Sequence, residues 1–195
     1  MNEIKPIQTY YDGHWFRSRL EARWAVVLKY LGVPYEYEPE GFDLGDGMYY
    51  LPDFRVKCHG LRGNYERKEP FDLYIEVKGK MTAEDAAKIK RFTNWRDEFG
   101  LRQYPVLIVD KIPDEGCATG WELYENPVGF ELTPFNYETI DGDWFGAYPA
   151  ATKDGKFYLF GADSNYINDD DADRMELAYR AARCARFEHG EHPRF

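Results

Sequence analysis

Between Phe16 and Gly32 the apolar side chains Leu20, Trp24, Val27, Leu28 and Leu31 recur at the spacing of one helical face, and Gly32 with Pro34 behind it ends the run. The pattern predicts a helix in FRSRLEARWAVVLKYLG, after a polar start. PYEYEPEGF reads as a short strand and turn, and MYYLPDFRVK as a second strand whose proline marks an edge or a bend. Residues 57–71 are polar and contain glycine, which predicts a loop. In DLYIEVKGK the period falls to two: Leu73, Ile75 and Val77 alternate with Tyr74, Glu76 and Lys78. TAEDAAKIKRFTNWRDEF returns to helical spacing, with Ala86, Ile89, Phe92 and Trp95 or Phe99 on one face, Thr82 as N-cap and acids in the first turn. YPVLIVD is a continuous apolar run, as in a strand covered on both faces. The order helix, two or three strands, helix, strand predicts an α/β chain of the mixed α+β kind, with a core over residues 1–110.

From residue 111 the texture changes to Gly, Pro, Asp and aromatic residues, which predicts short strands and hairpins, with KDGK as a tight turn. NDDDADRMELAYRAARCARFEHGEH reads as a terminal helix capped by Asn168 or an Asp and ending near Gly190. Residues 111–195 are therefore expected to form a β-hairpin-rich, acidic extension that ends in a helix and packs on the core.

Charge sharpens this division. Residues 1–105 balance 17 Lys and Arg against 17 Asp and Glu, whereas residues 106–195 hold 8 against 18 and carry the whole net charge of −10. That total argues against tight, non-specific DNA binding by the whole chain but leaves room for a local site in the first half. No apolar run approaches a membrane span, and the N-terminus lacks the charged-then-apolar pattern of a secretory signal. Cys58, Cys117 and Cys184 lie far apart without a paired ligand motif. A reduced, cytoplasmic protein with no membrane association is the expectation.

The candidate chemistry begins at Glu76 and Lys78, a carboxylate and an ammonium on the same side of an otherwise apolar strand. A solvated surface strand is the plain explanation, with a neighbouring ion pair worth little. Asp53 follows Pro52 in YLPDF, where Phe54 and Val56 face one way and Asp53 and Arg55 the other; it also reads as a turn residue. Glu21 lies at the edge of the first helix's apolar face, and SRLE equally reads as a capping box.

Taken in order, RSRLEARW, YLPDF and IEVKG resemble the PD-(D/E)xK nuclease superfamily, over about residues 10–110. The resemblance implies a restriction-endonuclease-like αβββαβ core and a small metal-dependent nuclease, an endonuclease rather than an exonuclease, of phage or mobile-element type. It places the catalytic roles on Glu21, Asp53, Glu76 and Lys78. Asp53, Glu76 and the backbone carbonyl of Val77 would bind Mg²⁺, or Mn²⁺ in its stead, with Glu21 as a further ligand or water-orienting group. Lys78 would contact the attacking water or the phosphate. The residue types suit that chemistry, because hard oxygen ligands hold such ions and a phosphodiester transition state needs positive charge.

Arg17, Arg19 and Arg23 around Glu21, and Lys80, Lys88 and Lys90 after the strand, are candidates for nucleic-acid phosphates. Arg180, Arg183 and Arg186 recur every three residues in the terminal helix, as a phosphate-gripping stripe or as partners for Asp169 to Asp173 or Glu176. Tyr74 either lines a pocket or is a partly buried aromatic. DNA is the expected partner, with a homodimer where both strands are cut. The competing expectations are RNA as substrate, and a nuclease fold kept as a binding module whose acidic second half engages a protein.

Overall fold

An Asp-Gly pair makes the first turn. Asp12 and Gly13 both adopt positive φ, 46° and 84°, the geometry a two-residue hairpin needs. They join β1 (Thr9–Tyr11) to β2 (His14–Phe16), so the expected polar start is a hairpin, with Tyr11 and Phe16 in the core. The chain is seen here as a computed structural model that describes residues 6–62, 70–93, 106–113, 137–138, 144–145, 147–161 and 169–191. Trp95, Phe99, Cys117 and Asn168 lie outside the described residues.

The first helix, α1 (Arg19–Tyr30), starts where Ser18 in extended conformation accepts the Glu21 amide, and stops before Gly32 at φ 69°. It is buried beyond the one expected face, with Ala22, Ala25 and Val26 fully covered along with Trp24, Val27 and Leu28. The cause is a second covering layer: α1 packs on the sheet and also against α3 (Asp169–Cys184).

After α1 come β3 (Tyr35–Tyr37), β4 (Phe42–Asp43), β5 (Tyr49–Tyr50), β6 (Phe54–Arg62), β7 (Phe71–Val77), α2 (Ala83–Thr93) and β8 (Val106–Val109). Then follow β9 (Tyr137–Glu138) and β10 (Trp144–Phe145), which pair with each other, β11 (Ala147–Ala151), β12 (Phe157–Gly161) and α3. The fold is mixed α+β, with three α-helices and several sheets among the described residues. The main sheet has the order β11-β12-β6-β7-β8, with β3 also on β6. β3, β6 and β7 run antiparallel in turn, and β8 is parallel to β7. No helix among the described residues is long and apolar enough to cross a membrane.

Three sequence expectations change. MYYLPDFRVK is two strands and not one: Tyr49 and Tyr50 pair with β4, the chain turns at Leu51 to Asp53, and β6 joins the main sheet. Pro52 has no N–H to continue a ladder, and the Asp53 carbonyl accepts instead from Glu38, 2.8 Å away. The expected loop from residue 57 is strand as far as Arg62, because Leu61 and Arg62 pair with Leu159 and Phe160 of β12, a partner remote in sequence. The terminal helix stops at Cys184 and not near Gly190. Arg186 leaves helical geometry, a 3₁₀ turn spans Phe187–His189, and Gly190 takes φ 69°.

KDGK is the expected tight turn, joining β11 to β12, with Thr152 and Gly155 bonded across it. It seats against the end of α1: a Cβ on Gly155 (φ 75°) would lie 2.5 Å from the Gly32 carbonyl oxygen. Gly155→Ala combines a disfavoured φ with a backbone clash, and should cost about 2 kcal/mol or more in urea unfolding. A neutral effect would mean that the two turns are not in contact.

Both faces of the sheet are covered. Leu73, Ile75 and Val77 belong to the cluster under α1 and α3. Tyr74 belongs to a second cluster with Val106, Ile108, Ile89 and Phe92, roofed by Leu44, just past β4, and Tyr50 of β5. The face of β7 that alternation assigns to polar residues is therefore interior, and Tyr74 is a core aromatic there.

Candidate functional site

Register brings the two central acids together. Phe54 of β6 pairs with Ile75 of β7, so one step outward Asp53 comes opposite Glu76 at the end of the pair. Both are 3% exposed. A Glu76 on a wet strand would need no partners; this one has two. Its Oε2 accepts from the Tyr50 hydroxyl at 2.7 Å and its Oε1 lies 2.9 Å from the Lys78 ammonium. Lys78 also reaches Asp85 at 3.2 Å. Asp53 accepts from the Val77 amide at 2.7 Å through Oδ2, and its Oδ1 meets the Arg17 guanidinium.

Arg17 carries the network across to α1. Its guanidinium is 2.8 Å from Glu38 and 4.0 Å from Glu21 as well as touching Asp53. Glu21 sits both at the Ser18 cap and beside this network. Its amide donates to the Ser18 cap at 3.1 Å and its Oε1 accepts the Ser18 hydroxyl at 2.8 Å. Its Oε2 reaches the Arg17 amide and not that of Ser18, so the capping box is incomplete. Glu21 is also buried, accepts from the Tyr37 hydroxyl at 2.7 Å, and places its charge near Asp53.

The electrostatics follow from burial. Asp53 is pushed up to about 7, first by loss of water and then by the charge of Glu76; the Val77 amide pulls it down, Glu21 adds to the rise, and Arg17 opposes it. Burial alone would pull Lys78 down, but the charge and hydrogen bond of Glu76, with Asp85, hold it above its ordinary value. Asp85 stays below the usual carboxylate range: burial pushes it up, and the Thr82 hydrogen bonds and Lys78 outweigh that. Tyr50 is held well above its usual range by burial and then by Glu76, so its hydroxyl remains a donor. Five carboxylates (Glu21, Glu38, Asp53, Glu76 and Asp85) face two cations, Arg17 and Lys78.

An open cleft of about 230 Å³ gives access, lined by Arg17, Glu76, Lys78, Asp85 and Lys88, with Tyr49 and Leu51 on its rim. That is below the ~300–1,000 Å³ of pockets that enclose a small molecule. Tyr49 is 67% exposed, because alternation along β5 turns its neighbour Tyr50 inward to Glu76. Tyr50→Phe should lower stability by about 2 kcal/mol in urea unfolding, since Glu76 loses a buried, charge-assisted partner. An unchanged midpoint would mean that Glu76 is hydrated there.

The chain matches no family model, no curated protein and no solved structure. Function has to rest on these residues.

The structure thus gathers Glu21, Asp53, Glu76 and Lys78 into one network, brings Lys88 to the cleft, and engages several other expected phosphate contacts elsewhere. Arg17 is in the site, but on carboxylates. Arg19 is 3.8 Å from Glu188, and Arg23 has its Nε buried without a hydrogen-bond partner. Lys80 is exposed in the turn before α2, and Arg180 is exposed on α3. Arg183 is tied to Glu176 at 2.9 Å and to the Pro113 carbonyl, the internal pairing that Glu176 offered. Arg186 lies past the helix, 3.4 Å from Glu191, so the three arginines do not form one helical stripe.

Sequence reasoning missed Tyr50, Tyr37, Glu38 and Asp85 as members of the network. A signal existed for Asp85: Thr82-x-x-Asp85 is a capping box, with Thr82 Oγ1 accepting from the Asp85 amide at 3.1 Å and donating to its carboxylate at 2.6 Å. The other three depend on the β3 and β5 pairings, which local pattern does not specify.

Among the described residues, no three His, Cys, Asp or Glu side chains are gathered around one ion position. The donor set still suits a hard divalent cation. Asp53 and Glu76 are buried oxygen donors, burial and the charge of Glu76 raise the cost of ionising Asp53, and positive charge relieves that cost.

Proposed function

We propose that the cleft is the active site of a metal-dependent nuclease of the PD-(D/E)xK kind, an endonuclease that hydrolyses phosphodiesters in DNA. The observation that carries this reading is the buried pair Asp53 and Glu76, facing each other across β6 and β7, with the Lys78 ammonium 2.9 Å from Glu76 at the cleft. The sequence α1, β3, β6, β7, α2, β8 supports it, being the αβββαβ order of that superfamily with β4 and β5 inserted.

Asp53 and Glu76, with the Val77 carbonyl, would hold Mg²⁺ or Mn²⁺. The ion when bound supplies charge neutralisation at the phosphoryl group and a water acidic enough to attack at neutral pH. The chain supplies the rest. Tyr50 fixes one Glu76 oxygen, leaving the other toward Lys78. Lys78, steadied by Asp85, presents its ammonium to the cleft for the attacking water or a phosphate oxygen. Glu21, held by Ser18 and Tyr37, acts on Asp53 through its charge. Tyr49 and Leu51 offer the sugar or base an apolar rim, and Lys88 lies on the cation side.

The test is a cleavage panel: supercoiled plasmid, linear duplex, single-stranded DNA, a four-way junction and RNA, each with Mg²⁺, Mn²⁺ or EDTA. Metal-dependent nicking of a closed substrate is expected, with none in EDTA. Nucleic-acid or protein binding without cleavage of any substrate would replace the enzyme with the binding-module reading. Cleavage of RNA alone would move the substrate and keep the chemistry.

A further inference from the structure

We infer that Arg17 is an internal counter-cation for the carboxylate site, which holds Asp53 when no divalent ion is bound and competes with the ion for it. Arg17 thereby sets the affinity of the site for metal. The inference rests on the metal-dependent reading above and deepens it.

The geometry of Arg17 is that of a held but releasable group. Its backbone is anchored, because its amide donates to Glu21 at 3.1 Å and to the Tyr37 hydroxyl at 3.0 Å. Its guanidinium reaches carboxylates from three separate segments: Asp53 before β6, Glu38 after β3, and Glu21 on α1. Yet the side chain is 51% exposed while that of Asp53 is 4% exposed. Withdrawing Arg17 into water therefore uncovers no core, whereas leaving Asp53 ionised and unpartnered in its buried place is costly. Asp53 needs a cation more than Arg17 needs Asp53.

Glu38 gives Arg17 a second berth. It takes φ 46°, an uncommon conformation for a residue with a side chain, and its amide is bonded to the Asp53 carbonyl at 2.8 Å. The same residue thus reads the position of Asp53 through its backbone and holds Arg17 at 2.8 Å through its carboxylate. A guanidinium displaced from Asp53 remains tethered beside the cleft it lines, with a planar fork of donors suited to a phosphate. Two cations cannot share the Asp53 carboxylate without mutual repulsion, so metal affinity and Arg17 attachment are linked with opposite sign.

Calorimetric titration of Mn²⁺ and Ca²⁺ into the full chain tests this, with wild type, Arg17→Gln and Asp53→Asn. Arg17→Gln should bind the ion roughly tenfold tighter than wild type, and Asp53→Asn should lose binding. In EDTA, Arg17→Gln should melt below wild type, and it should gain more on adding ion. If wild type binds the ion and Arg17→Gln binds it equally or more weakly, the counter-cation role is wrong and the metal site stands. If neither binds, the metal reading and the Arg17 role fall together. Should Arg17→Gln not fold, Arg17→Met makes the same comparison, since it keeps an apolar stem and removes the charge; affinity equal to or below wild type would again overturn the role.

Discussion

Lys78→Met should reduce metal-dependent cleavage by ~10³-fold, the size of effect expected when a preorganised charge at a transferring phosphoryl group is removed. Methionine keeps the length and apolar stem of lysine, so the wall of the cleft is preserved and the ammonium alone is lost. The variant also strips Glu76 of its 2.9 Å partner and Asp85 of its 3.2 Å partner. Breaking a largely buried pair destabilises, by about 2 kcal/mol for a lysine side chain 25% exposed. Two further variants separate chemistry from folding. Lys78→Arg keeps a charge beside Glu76 and should keep stability, yet cleave poorly, because a broad planar fork cannot take the place of a compact ammonium. Glu76→Gln in the Lys78→Met background should restore much of the stability and none of the activity. Rates are read as single turnovers at saturating Mg²⁺, and stability as urea midpoints on the same preparations. A Lys78→Met protein that cuts at the wild-type rate would remove Lys78 from the chemistry and leave it a structural partner of Glu76.

What could be read from the chain beforehand follows the range of the forces involved. The helices α1 and α2 were legible because their caps, Ser18 and Thr82, and their apolar spacing are local. The KDGK turn was legible for the same reason. The strand β7 was legible in period but not in environment. Tyr74 and Glu76 face an interior because β4, β5 and α2 fold over them, and nothing in DLYIEVKGK specifies that roof. The extension of β6 to Arg62 depends on β12, and the break at Leu51 to Asp53 depends on where Glu38 finds its acceptor. The acids themselves stood out only as a set, since Glu21 taken alone reads as part of a helix cap, and its amide does donate to the Ser18 cap here. Arg17 shows the limit most plainly. As a sequence feature it is one of several helix-end arginines expected to meet phosphate, and only three-dimensional placement puts it on Asp53.

That placement also bears on an expected stability effect that reverses when metal is added. In EDTA at pH 8.5, Asp53→Asn should be more stable than wild type, by about 2 kcal/mol, although it should also abolish metal binding and cleavage. Asp53 has a folded value of about 7, above an unfolded value of about 3.9. The folded protein therefore holds a proton that the unfolded chain has lost across that interval. The stability this contributes is fully present below about pH 3.9 and is lost as pH rises through 7. Above pH 7 the metal-free protein bears the cost of an ionised carboxylate with burial, Glu76 and Glu21 against it. Three pH units correspond to roughly 4 kcal/mol at most, and half of that allows for the Arg17 and Val77 contacts that asparagine keeps only in part. The difference between variant and wild type should shrink as pH falls from 8.5 to 5, because wild-type Asp53 becomes neutral too. Saturating Mg²⁺ should reverse the order, since wild type gains stability by mass action and the variant gains none. Thermal unfolding at the two pH values, with EDTA and with Mg²⁺, gives all four comparisons. If Asp53→Asn is instead less stable than wild type by the same margin in every condition, Asp53 is a structural ion-pair partner of Arg17, and the case for a metal at this carboxylate is lost. A carboxylate that destabilises its own fold even with Arg17 beside it, and is relieved by a divalent ion, fits a metal ligand better than a structural ion pair.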